Sequence, residues 1–349
     1  MAKKNVTIDH NSVGLKNAGI FGLGSDYESA ELILIPAPWD LTTSYRKGAS
    51  LSPQKILDSS SQIDLFNTDF YSDLVAYGVH MLEEDKKLQA LNGKYQDSAQ
   101  EIMTALEQGK ELSDAQEKNL VDINKASETF NDAIYEHAKT CIKDNKIIGL
   151  VGGDHSASYG LISALIDNIN SFAVLQFDAH LDLRISYQGF DYSHASIMHQ
   201  VMKFNDVSRL VQVGARDFCE LEYNESKFSK GRIKTYYNDQ INEDLFSGKS
   251  WDSICKKIVN NLPENIYISM DIDVLNPQYC PHTGTPVPGG LDFDKVTYLL
   301  KKCVTAGKII VGFDCVEVNG PKDSVDIITG ARMLYHLCGQ TIVSQIEDE

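Results

Sequence analysis

From Lys146 onward the chain repeats one pattern: an apolar run rich in Val, Ile, Leu or Phe, then an abrupt polar ending. KIIGLVGGDHS, SFAVLQFDAHLD, SRLVQVGARD, ENIYISMDID and KIIVGFDCVEV are five such runs, most of them separated by stretches of helical character. Continuous apolar strands alternating with helices predict a mostly parallel sheet covered on both faces. Earlier in the chain, ELILIPAPWD (31–40) reads as a further buried strand ending in a Pro-rich loop, and DLVAYGVHML (73–82) as another. Ser52 before Pro53 reads as a helix N-cap with proline at the first helical position. The loop Asp40–Leu51 therefore runs from a strand end into a helix, where α/β proteins place binding residues.

Residues 83 to about 145 differ: they are charged, rich in Lys, Glu, Gln and Ala, and poor in Gly and Pro. Ser113 and Gln116 fit a capping box. Beyond it Leu120, Ile123, Ser127, Phe130, Ile134 and Ala138 recur at helical spacing, a stripe that reads as core-facing. The segment is expected to be a helical excursion leading into a long helix, with residues 1 to about 30 as a surface extension. Neither a repeat nor a low-complexity linker divides the 349 residues. The expectation is one α/β domain spanning 1–349, with the excursion at about 84–145.

Composition narrows the function. The formal charge of −17 and the absence of Lys/Arg clusters speak against nucleic acid. The seven cysteines are scattered, odd in number and form no CxxC pair, which suits reduced thiols in a cytoplasm. The N-terminal stretch lacks the apolar core of a signal peptide, and no apolar run reaches the length of a membrane span.

The chemistry collects at the polar ends of the strands. Asp178, His180 and Asp182 alternate after an apolar run, so they share a face if the strand stays extended. Two carboxylates and an imidazole at a buried strand tip are costly unless a cation sits among them. The bland alternative is a capping Asp182 and a core His180. Gly152-Gly153-Asp154-His155 permits a tight turn, and Asp271-x-Asp273 again places carboxylates two apart. Together these motifs offer four carboxylates and two imidazoles. Oxygen-rich ligands with imidazole suit Mn²⁺ or a similar ion, and no thiolate suggests structural zinc. Six ligands suit two ions sharing carboxylates about 3.5–4 Å apart, with hydrolysis by an activated water as the expected chemistry.

GGDHS, DAHLD, SMDIDVLNP followed by TGTPVPGGL, and GFDCVEVN resemble, in order and spacing, the signature motifs of the ureohydrolase (arginase/agmatinase/formimidoylglutamase) family over about Leu32–Leu337. That resemblance implies an arginase-like three-layer α/β/α fold and two Mn²⁺ per subunit. It implies His155, Asp178, Asp182 and Asp271 as ligands of one ion, and His180, Asp178, Asp271 and Asp273 as ligands of the other. His194 falls where urea-releasing members place a proton-shuttling histidine, and Glu317 at the glutamate that holds the guanidinium. Asp182 shares the proton handling. A homo-oligomer, trimer or hexamer, is also implied.

The chain departs from arginases where they read the α-carboxylate and α-amino group of arginine: Arg184 replaces an asparagine and Cys219 an aspartate. These departures argue against arginine as substrate. DAHLDLR resembles formimidoylglutamases, in which a cation could grip a substrate carboxylate. Ser193-His194-Ala195 and the loop WDLTTSYRKGAS resemble the agmatinase branch instead. Arg184 either repels a cationic tail and accepts a guanidino acid, or is silenced by pairing with Asp191. The leading expectation is an agmatinase-like hydrolase of guanidino compounds releasing urea and an amine. The alternative is a formimidoylglutamase releasing formamide; a one-zinc deacetylase and an inactive scaffold rank lower.

Overall fold

The computed structural model describes residues 17–346. Eight strands form one sheet: β1 (Leu32–Pro36), β2 (Val79–Met81), β3 (Ile147–Val151), β4 (Phe172–Phe177), β5 (Val207–Val213), β6 (Ile233–Tyr236), β7 (Asn265–Asp271) and β8 (Ile309–Val316). Their order is β2-β1-β3-β8-β7-β4-β5-β6, and each neighbouring pair is parallel. The helices are α1 (Ser52–Ser60), α2 (Tyr71–Tyr77), α3 (Lys86–Glu107), α4 (Asp114–Lys143), α5 (Ser158–Ile166), α6 (Ile197–Val201), α7 (Glu220–Phe228), α8 (Asn238–Phe246), α9 (Trp251–Val259), α10 (Phe293–Thr305) and α11 (Val325–Gln345).

Side-chain alternation divides the core in two. Leu32 and Leu34 of β1 join one apolar cluster with side chains of α1, α2 and α8 to α11, whereas Ile33 and Ile35 join another with α3 to α6. The result is three layers, helices on both faces of a parallel sheet, as the pattern of apolar runs requires. None of the helices among the described residues is long and apolar enough to cross a membrane. All seven cysteines are free thiols, and only Cys219 is appreciably exposed.

Register matters most for the site. Val151 pairs with Cys315, Met270 with Cys315 on the other side of β8, and Phe177 with Met270. The carboxyl ends of β3, β8, β7 and β4 therefore finish level, side by side in the middle of the sheet. That is the edge at which α/β folds bind ligands.

Several expectations are corrected. The run 73–82 is not one strand: Tyr71–Tyr77 is helical, Gly78 ends the helix at φ 70 with its N–H on Leu74 O, and only Val79–Met81 is extended. Strand β6 lies outside the predicted runs because IKTY is a short edge strand, only part of which is buried. Ser52 is no N-cap; its hydroxyl donates to Ala49 O at 2.7 Å within a preceding 3-10 turn, while Pro53 does sit in the first helical turn. Within the supposed surface extension, Ile20 and Phe21 are buried, Phe21 edge-on to Tyr335 with ring centroids 5.6 Å apart. The remainder of that extension, 1–16, lies outside the described residues.

The excursion is a helical pair. Asp85 caps α3 by accepting from Lys87 N–H at 2.7 Å, and Ser113 with Gln116 forms the expected capping box on α4. Ile123, Ser127, Phe130, Ile134 and Ala138 are buried as their spacing predicts, and Leu120 is half-buried. Phe130 stacks on Trp39 at 4.5 Å, tying α4 to the loop after β1. Helices α4 and α5 meet at Gly160, where an added Cβ would lie 2.4 Å from Asn131 O. Gly160→Ala is thus expected to lower stability by about 1–3 kcal/mol through overpacking, read from the denaturant midpoint.

Candidate metal centre

Each level strand end supplies part of one cluster. After β3, Gly152 and Gly153 take φ of 85 and 81. A Cβ on Gly153 would lie 2.8 Å from the carbonyls of Ala37 and Trp39, so the turn requires glycine. Asp154 then caps the 3-10 turn His155–Ala157, accepting from Ser156 N–H at 3.0 Å, and this fixes His155 at the turn. After β4, the chain does not stay extended through Asp178-Ala179-His180-Leu181-Asp182. Asp182 has φ 54, a left-handed conformation, so these three side chains converge through a loop rather than along one strand face. After β7, Asp271 caps a 3-10 turn by accepting from Asp273 N–H at 2.8 Å. The capping role and the ligand-like role coexist: Asp271 Oδ1 serves the turn and Oδ2 faces His155.

This division of labour recurs. Asp273 Oδ1 accepts from Ala179 N–H at 2.9 Å, leaving Oδ2 free; Asp178 accepts from His180 N–H at 2.6 Å and Gln176 Nε2 at 2.7 Å. Backbone and amide donors anchor the carboxylates and aim their remaining lone pairs inward. Around His155 Nδ1 stand Asp182 Oδ2 at 2.9 Å, Asp178 Oδ2 at 3.0 Å and Asp271 Oδ2 at 3.4 Å. Around His180 Nδ1 stand Asp273 Oδ2 at 3.0 Å and Asp178 Oδ1 at 3.4 Å. Asp178 thus lies between the two imidazoles, one oxygen toward each. Ligand atoms of His155, Asp178 and Asp271 lie within 4.8 Å of one another, as do those of Asp178, His180 and Asp273. Asp182 stands outside both sets and reaches the first through His155.

The donor set fits divalent cations on three counts. Its chemistry is carboxylate and imidazole. His155 Nδ1 and Asp273 Oδ2 are buried with no hydrogen-bond partner among the described residues, despite the close approaches just given. Finally, Ser269 Oγ, 2.9 Å from Asp314 Oδ2, donates its only proton there and so accepts from His155 Nε2–H at 2.8 Å. Nε2 is thereby committed as a donor, so Nδ1, which keeps a proton among the carboxylates in the absence of a cation, is the nitrogen that would turn a lone pair to one.

Electrostatics record the crowding. Burial and the charge of Asp178 push Asp182 up to about 7. Burial, with Asp273 and Asp178 nearby, raises Asp271 well above the carboxylate range. Burial alone would lower His155 and His180, but the carboxylates facing them raise both well above the usual imidazole value. Asp178 goes the other way: burial would raise it, but the two imidazoles hold it below its ordinary range. Glu317 is raised by burial and by Asp154.

A cavity of about 220 Å³ opens onto this cluster, and His180, Asp182, Arg184 and His194 line it. His155, Asp178, Asp271 and Asp273 are buried against them. Glu317 is buried too, at φ 59, with Oε1 accepting from His155 N–H at 3.0 Å and Oε2 without a partner beside Gly284. His194 is held by Thr42, whose hydroxyl oxygen accepts from His194 N–H at 3.0 Å and lies 3.3 Å from Nδ1. Burial, with His180 and His155 close by, pushes His194 down to about 3. Asp191 is exposed and is not on the cavity wall, nor is it the partner of Arg184. Arg184 Nε instead lies 3.7 Å from Glu222 Oε2, with its guanidinium 4.9 Å above the Tyr187 ring.

Sequence reasoning missed Ser269, Asp314, Gln176, Gln212, Thr42 and Glu222. Four of them carried one signal: a polar residue inside an otherwise apolar strand. Gln212 Nε2 donates to Gln176 Oε1 at 2.8 Å, extending the chain of bonds behind Asp178 into β5.

The family model described as "Arginase family" matches residues 30–339. The N(1)-aminopropylagmatine ureohydrolase of Thermus thermophilus is 27% identical over 314 residues, covering 90% of this chain and 91% of that protein. The agmatinase of Pyrococcus horikoshii is 28% identical over 317 residues, covering 90% and 94%. In fold, the agmatine ureohydrolase of Thermoplasma volcanium superposes with a TM-score of 0.68 at 21% identity, over 95% of this chain and 94% of that one.

The raised groups set a pH dependence. His155, His180, Asp182 and Asp271 hold protons more tightly folded than unfolded, so their stabilising contribution is complete below the unfolded values and is lost as pH rises through the folded ones. A cation competes with those protons. The rise in Tm on adding Mn²⁺ is therefore expected to be larger near about pH 9 than near about pH 6; paired thermal melts check this, and a pH-independent increment would contradict it.

Proposed function

This chain belongs to the arginase family, and from that premise we propose that it hydrolyses linear guanidino compounds, agmatinase-like, to urea and an amine with two Mn²⁺ per subunit. The observation that carries the reading is the convergence of four aspartates and two histidines on His155 Nδ1 and Asp273 Oδ2, buried atoms without a hydrogen-bond partner. His155, Asp178, Asp182 and Asp271 would hold one ion. His180, Asp178, Asp271 and Asp273 would hold the other. Such a pair supplies Lewis acidity and lowers the pKa of water at the site.

The chain's own groups would do the rest. Glu317 offers Oε2, a buried carboxylate oxygen without a partner, to the planar guanidinium. Thr42 directs its hydroxyl proton to Asp154 Oδ2 at 2.8 Å, so it receives from His194 Nδ1–H and leaves Nε2 as a neutral base. His194, which burial keeps neutral at rest, would relay a proton through Nε2 to the departing amine, with Asp182 sharing the proton handling.

For the substrate tail, pairing with Glu222 offsets part of the charge of Arg184 and so weakens the repulsion it would exert on a cation. Asp217 adds an exposed carboxylate to the cavity wall. Both features favour a cationic tail, in keeping with relatives named agmatinase and N(1)-aminopropylagmatine ureohydrolase. A second reading, formimidoylglutamate hydrolysis, is favoured by the guanidinium of Arg184 on the cavity wall, where it could meet a carboxylate. The reading includes a cytoplasmic homo-oligomer, a trimer or hexamer.

A screen of Mn²⁺-loaded protein against agmatine, aminopropylagmatine, guanidinobutyrate, arginine and formimidoylglutamate is expected to release urea from the cationic guanidines. Formamide release would establish the second reading. Asp271→Ala is expected to empty the site, seen as lost manganese by elemental analysis. Glu317→Gln is expected to keep the metal while kcat/KM falls by about 10²-fold or more; metal loss in that variant would refute the role given to Glu317.

A further inference from the structure

Helices α3 and α4 contribute nothing to the carboxylate cluster, yet polar side chains on them reach two of the loops that wall the cavity. Asp40, on the loop after β1, is 1% exposed. Its Oδ2 accepts from the N–H groups of Gly48 at 2.8 Å and Ser50 at 3.3 Å, closing that loop on itself. Its Oδ1 accepts from Asn92 Nδ2 at 3.0 Å and Gln96 Nε2 at 2.6 Å, both on α3. Asn92 Oδ1 accepts in return from Asp40 N–H at 3.0 Å. A carboxylate this buried depends on its donors, so removing one loosens the whole turn. The loop it closes carries Thr42, which holds His194, and Ser44, which lines the cavity.

Helix α4 serves the second wall. Tyr187 and Phe190 bridge antiparallel across Gln188 and Gly189, whose φ values of 52 and 84 make a tight hairpin turn. Asn124 brackets that turn: Nδ2 donates to Gly189 O at 3.1 Å and Oδ1 accepts from Asp191 N–H at 3.1 Å. One turn earlier, Leu120 packs so close that a Cβ on Gly189 would lie 2.7 Å from its Cδ2. The turn presents Tyr187, which lines the cavity with its ring edge-on to His194 at 5.9 Å.

We propose that the α3–α4 pair is a clamp on two of the cavity loops, with Asn92 and Gln96 as positioning residues for 40–50 and Asn124 as the positioning residue for 185–191. These residues act through Thr42, His194 and Tyr187. Only the kinetic part of the test rests on the function proposed above.

The test is hydrogen exchange by mass spectrometry on the full, Mn²⁺-loaded chain. Gln96→Met is expected to speed exchange in 41–50 by about tenfold while leaving 185–191 unchanged, and Asn124→Ala to do the reverse. Bound manganese stays at the parent level in both. With agmatine as substrate, Gln96→Met lowers kcat by about tenfold through His194, whereas Asn124→Ala chiefly raises KM through Tyr187. Parent-like exchange in the loop each variant should free, or a rise spread evenly over the sheet, overturns the proposal. Asn124 is only half-buried, so its variant keeps the test open if the Gln96 variant does not fold.

Discussion

Mutual repulsion among buried carboxylates is the constraint on which this structure turns. Asp178, Asp182, Asp271 and Asp273 share one small volume with two imidazoles. At an effective dielectric near 20, two like unit charges about 4 Å apart repel by about 4 kcal/mol. Such an assembly persists because the fold anchors it from behind. Asp271 and Asp273 each commit one oxygen to a backbone N–H, Asp178 accepts from His180 N–H and Gln176, and the protons on the histidines offset part of the charge. The cost of the arrangement points to cations, which satisfy the inward lone pairs more completely than protons do.

Anchoring of this kind needs level strand ends. The registers of β3, β8, β7 and β4 bring four chain segments far apart in sequence to one edge. At that edge, glycine turns, 3-10 turns and left-handed residues replace regular structure. Gly152, Gly153, Asp182 and Glu317 all take positive φ there. The non-glycine members of that set are energetically unfavourable conformations, and they hold their side chains where no regular strand would.

Around this centre the chain adds a shell of polar groups that supports the candidate ligands from behind. Asp314 and Ser269 set the tautomer of His155, and Gln212 supports Gln176 behind Asp178. Glu222 is the clearest case of context changing chemistry. It caps α7, accepting from Cys219 N–H at 2.9 Å, and it also stands beside Arg184, so a cation on the cavity wall no longer defines the wall's charge.

What the sequence determined by itself is what local patterning can encode. Continuous apolar runs separated by helical stretches specified a parallel sheet covered on both faces, because only strands buried on both sides lack polar alternation. The placement of Asp and His at the ends of those runs specified which edge carries the chemistry, and the ordered motifs specified the family. Three things were left to tertiary structure. The convergence of Asp178, His180 and Asp182 depends on a left-handed residue that no spacing rule reveals. The partner of Arg184 proved to be Glu222, 38 positions away in the chain, rather than the nearby Asp191, because pairing follows distance in space and not along the sequence. The meaning of Asn92, Gln96 and Asn124, which read as ordinary helix-surface residues, emerged only when α3 and α4 were seen against the loops they hold. Periodicity reports which face a helix buries; it says nothing about the segment that face meets.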